Sequence, residues 1–106
     1  MDVLQKTIEK DGVTYVFRMP NGLDMIQIDL KARELRQGIS DGLGVAFGYS
    51  QNVAMLNQLC EQPKGTDFAK VRFDILDFLA EEVSNWLNSF RQPVGSEQGA
   101  VGTGQE

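Results

Sequence analysis

The chain has 106 residues and not one histidine. Ser-His-Asp and Cys-His catalysis, histidine general bases and histidine metal sites are therefore excluded together. An enzyme built on this sequence has to work with carboxylates, lysine or a cofactor. Cysteine is almost as scarce. Cys60 stands alone, so no internal disulfide forms, and a reducing cytoplasm is the expected compartment. Positive charge is sparse too: ten Lys and Arg stand against fifteen Asp and Glu, for a net charge of −5. With no basic cluster to neutralise phosphates, neither nucleic acid nor an anionic membrane surface is an expected partner. No apolar run approaches the roughly 20 residues of a membrane span, and the opening Met1-Asp2-Val3-Leu4-Gln5-Lys6 lacks the pattern of a signal peptide.

What is present is an ordinary globular composition, 42% hydrophobic and 24% charged. The length fits one small α+β domain over 1–91 with a modest core, since a chain of this size buries only about 60–65% of its unfolded surface. The expected architecture is an N-terminal β-hairpin followed by about three α-helices, mainly helical, with a disordered C-terminal tail. Residues 3–19 supply the hairpin: Val13 to Phe17 are β-branched or aromatic, and Asp11-Gly12 is a two-residue turn pair that tolerates positive φ. A hairpin alone is marginal in water, so it packs on a helix or joins a neighbour's sheet, which leaves a homo-oligomer open.

After Pro20-Asn21-Gly22, the segment from Leu23 to Gln37 reads as a helix, with a strand over 25–30 as the alternative. As a helix it is apolar on two sides and should be sandwiched. Residues 38–49 hold four glycines and read as a loop. Ser50 is placed to cap a helix running to about Gln62, with Cys60 as a small hydrophobe on its apolar side. Pro63-Lys64-Gly65 turns the chain into the dominant element, a helix from Thr66 to Arg91 capped by Thr66. Phe68, Val71, Ile75, Leu79, Val83, Trp86 or Leu87, and Phe90 share its apolar face. At about 1.5 Å per residue it would be nearly 40 Å long, too long for a body this small to cover. Residues 92–106 are rich in glycine and poor in large apolar side chains, the composition of a disordered tail.

Several patterns invite a chemical reading. Gly42, Gly44 and Gly48 resemble a nucleotide-binding loop, but the last glycine is one place late and no βαβ frame surrounds them, so no cofactor is expected. Asp74, Asp77, Glu81 and Glu82 lie on one helix, yet Lys70 and Arg72 are interleaved and no second acidic helix completes a metal site; a solvated face is the simpler reading. Nothing near Cys60 lowers its thiol pKa, and Glu61 would raise it. Trp86, Leu87 and Phe90, at the far end of the long helix, fit either core or an aromatic patch for a partner. Met19, Met25 and Met55 read as core fillers.

Two stretches bear a family likeness. Tyr15 to Asp29 contains Phe17-x-x-Pro20-x-Gly22-x-Asp24 leading into a helix, and Val83-Ser84-Asn85-Trp86-Leu87-Asn88-Ser89-Phe90 closes an amphipathic one. Together they resemble the tail assembly chaperones of long-tailed bacteriophages, over about residues 13–91; the glycine-rich 38–49 has no counterpart in that resemblance. It implies a non-enzymatic protein that coats the apolar, helical tape measure protein, keeps it soluble, and helps recruit tail tube protein. It also implies a longer, frameshifted form, to which a glycine-rich 92–106 would be a linker. Helix-in-groove contacts through Val83, Trp86, Leu87 and Phe90 would carry the binding. A small acidic secretion-type chaperone or adaptor shares the same composition. An enzyme subunit using the 42–48 loop and a virion component are the remaining classes.

Overall fold

The computed structural model describes residues 4–37 and 44–91. Strand β1 (Gln5–Lys10) and strand β2 (Val13–Arg18) form an antiparallel hairpin. Its turn places Asp11 at φ 52° and Gly12 at φ 80°, the paired positive values of a type I′ turn. Alternation then sends Ile8, Tyr15 and Phe17 to the core, while Gln5, Thr7 and Glu9 face outward.

Helix α1 (Gly22–Leu35) starts at a capping box: the Asn21 side chain accepts from the Asp24 backbone N–H, and the Asp24 carboxylate accepts from the Asn21 N–H. The helical alternative for 25–30 is therefore the one adopted. Helix α2 (Val45–Leu59) begins five residues before the expected cap. Ser50 lies inside it, buried, donating to the Phe47 carbonyl and accepting from Arg36. The expected loop over 38–49 thus ends by Gly44, and residues 38–43 lie outside the described ones. Cys60 leaves the helix and opens a short strand β3 (Cys60–Gln62), which pairs with β2 to give the sheet order β1-β2-β3.

The predicted single helix from Thr66 is broken. Phe68–Lys70 forms one 3-10 turn capped by Asp67, while the Thr66 hydroxyl donates to the Pro63 carbonyl. Val71 is extended, and helix α3 (Phe73–Arg91) then runs for 19 residues, about 28 Å. The interruption seats Phe68. Its ring is fully buried between Tyr15 and Phe17, with centroids 6.1 and 6.0 Å away, and its N–H donates to Asn57 Oδ1 at 2.8 Å.

Phe17, Leu56, Leu59, Phe68, Leu79 and Val83 form the main core, where sheet, α2 and α3 meet. Ile28 and Ala32 of α1 pack separately on Ala54, and Met55 touches both groups. Among the described residues, helix α1 is therefore a flank, covered on one side only. The expectation of a sandwiched α1 fails: Leu23, Ile26 and Leu30 stay exposed on its far side.

Candidate interaction surface

Leu76, Leu79 and Val83 of α3 are buried, and the same stripe continues at helical spacing through Leu87 to Phe90. The body stops before the helix does. Val83 is fully buried, Trp86 and Leu87 are half-buried, and Phe90 is 53% exposed although it lies on the core-facing side. Trp86 and Phe90 meet edge to face with centroids 5.8 Å apart, the arrangement that aromatic quadrupoles favour. Across from them, the β2–α1 connection supplies Met19 and Pro20, and the first turn of α1 supplies Met25. With Leu87, Phe90 and Arg91 they enclose a groove of about 290 Å³.

A buried polar knot fixes the near wall of this groove. Asp24 is almost completely buried, and its carboxylate accepts from both terminal nitrogens of Arg18, from Gln58 Nε2 at 2.9 Å and from the Asn21 N–H at 2.9 Å. One side chain thereby ties the end of β2, the start of α1 and the last turn of α2 together. The paired Arg18 guanidinium, helped by the Asn21 N–H and Gln58, holds the Asp24 carboxyl well below the usual carboxylate range despite its burial. The hydrogen bond to Asp24 correspondingly raises the Arg18 pKa. Met19 and Met25 hang from the two ends of this knot, so their positions are set by ionic and not only apolar contacts.

No family model, curated protein or solved structure matches this chain. Its chemistry is therefore read from its own residues. Gly44 caps α2 through its backbone alone, and Gly48 is helical; Gly42 lies outside the described residues. Asp74 is held by Arg72, 2.6 Å away, and its pKa is lowered by that hydrogen bond. Asp77 accepts from the Tyr49 hydroxyl at 3.2 Å. Among the described residues, no three His, Cys, Asp or Glu side chains come together as a metal site. The Cys60 thiol is half-buried, and burial pushes its pKa up, with the Glu61 charge adding to the effect. No helix of the described residues is long and apolar enough to cross a membrane. A shallower groove of about 410 Å³, lined by Leu35, Val53, Val71, Phe73 and Leu76 among others, lies elsewhere on α2 and α3.

Of the sequence-selected residues, Trp86, Leu87 and Phe90 come together beside the groove, while Val83 sits in the core beneath it. Sequence reading missed Met19 and Met25 as its opposite wall and Asp24 as its fastening. The signal for Asp24 was available: Asn21 followed by an acidic residue three places on, just before an apolar run, is close to the pattern of a capping box.

Proposed function

We propose that this chain is a non-enzymatic tail assembly chaperone of a long-tailed bacteriophage, binding and solubilising the tape measure protein and helping to recruit tail tube protein. The observation that carries the reading is the overhang of α3, which leaves Phe90 53% exposed at the end of a stripe that is buried at Leu76, Leu79 and Val83, facing Met19 and Met25. An apolar groove edged by Phe90, Leu87 and two methionines suits an apolar helix laid against it, and methionine adapts to varied side chains. The family part of the proposal rests on the likeness of residues 15–29 and 83–90 to such chaperones, the same two segments that supply the groove walls. The net charge of −5 would keep a coated complex dispersed.

Co-expression with the tape measure protein of the same genome tests it. The expected result is a soluble tape measure protein that copurifies with this chain, and a several-fold loss of that soluble fraction with Phe90→Ala or Trp86→Ala. A tape measure protein that remains insoluble whether or not the chain is present would overturn the proposal.

A further inference from the structure

Strand β1 lies at one end of the sheet, and no other described strand pairs with its far edge. The hairpin register decides which backbone groups that edge presents. Around a two-residue turn the flanking pair, here Lys10 and Val13, exchanges backbone hydrogen bonds, and bonded pairs then alternate with non-bonded ones. Ile8 with Tyr15 and Lys6 with Phe17 are therefore bonded pairs, and the Met19 N–H donating to the Leu4 carbonyl at 2.8 Å continues the series. Gln5, Thr7 and Glu9 fall at the alternate positions, so their N–H and C=O groups point away from β2, past the edge of the sheet. Such a row is a template for another strand.

The side chains select the strand that fits. Against a second, antiparallel copy of β1, only the register centred on Thr7 engages all three edge residues of both copies. It sets Thr7 opposite Thr7, Gln5 opposite Glu9 and Lys6 opposite Ile8, and Thr with Thr is a favourable cross-strand pair. Slipping to either neighbouring register sets Lys6 opposite Lys6 or Lys6 opposite Lys10, and like charges directly opposite are destabilising. Lysines on an edge strand discourage indiscriminate pairing; here they leave one register open. We propose that β1 pairs with β1 of a second copy about a two-fold axis at Thr7, joining the two sheets into one. The strand is short and each copy carries −5, so the dimer is weak and is strengthened by salt, which screens the repulsion. The pairing is independent of the chaperone reading, because the edge takes an extended backbone and no tape measure protein.

Light scattering of the full chain over a concentration series in high salt tests it, together with Thr7→Lys and Thr7→Cys. Thr7 is exposed, so both variants should keep the circular dichroism of wild type. The expected results are a concentration-dependent wild-type dimer and a monomer with Thr7→Lys, which sets two like charges on the axis. In a bonded antiparallel pair the Cα atoms are about 5.5 Å apart, within the span of a disulfide. Oxidised Thr7→Cys should therefore crosslink through position 7 of both copies, mapped by peptide mass, and Glu9→Cys should not crosslink through position 9. A wild-type chain that stays monomeric up to millimolar concentration overturns the proposal. A dimer that Thr7→Lys leaves intact, or that crosslinks through position 9 as readily as through position 7, overturns it as well, and tape measure solubilisation is untouched by either result.

Discussion

Asp24 is the residue whose loss should be felt furthest. It accepts four hydrogen bonds from three different segments while almost fully buried. Replacing it with asparagine removes the charge that balances Arg18 and one acceptor of the capping box. Breaking a buried ion pair costs about 3–5 kcal/mol; Arg18 is one-third exposed and can rehydrate, so Asp24→Asn should cost about 2–3 kcal/mol, measured by urea unfolding near pH 7. The pH dependence has a definite sign. The folded pKa of Asp24 is depressed below an unfolded value near 4. Its contribution is therefore fully present above about pH 5 and is lost as pH falls from about 4 toward the folded value. Wild type should lose stability faster than Asp24→Asn across that window, and parallel curves for the two would refute the assignment.

Among the elements, those whose signals are local were legible. Asp11-Gly12 with its β-branched flanks specified the hairpin, and helical spacing from Leu23 onward favoured α1 while alternation over 25–30 left a strand as the alternative. Elements set by tertiary demands were not. Strand β3 has no β-branched residue and exists because β2 offers an edge. Helix α2 has Gly44 at its N-cap and no side-chain cap, so Ser50 looked like the better start. The 3-10 turn follows from seating Phe68, which periodicity alone assigned to one long helix. The candidate surface was half legible: Trp86, Leu87 and Phe90 were visible as an apolar end, but the residues facing them come from about 65 positions earlier, a separation that no local pattern spans. Local signals can be tested at the same scale. Asn21→Ala removes the N-cap of α1 and should cost about 1 kcal/mol, with Gly as a milder replacement, read from chemical denaturation. If Ala and Gly at this position are both neutral, the capping box does not hold the start of α1.

At the scale of the whole molecule, one stripe on α3 changes role along its length. Leu79 is fully buried against the sheet and α2, and Phe90, three turns on, is more than half exposed. Both are large apolar residues on the same side of one helix, so chemistry does not distinguish them; only the extent of the rest of the fold does. Truncating Leu79 opens a cavity in close-packed core, and Leu79→Ala should cost about 2–5 kcal/mol. Phe90→Ala gives up a partly covered side chain and its edge-to-face contact with Trp86, which together are worth about 1–2 kcal/mol at most. Thermal melts and tape measure solubilisation, measured on both variants, should therefore separate in opposite directions. Leu79→Ala should melt much earlier, and below its melting point the folded fraction should still bind. Phe90→Ala should melt only moderately below wild type, by clearly less than Leu79→Ala, and bind poorly. If Phe90→Ala instead destabilised the fold as strongly as Leu79→Ala, the end of α3 would be core that something in the protein covers, and the groove beside it would lose its standing as a docking surface.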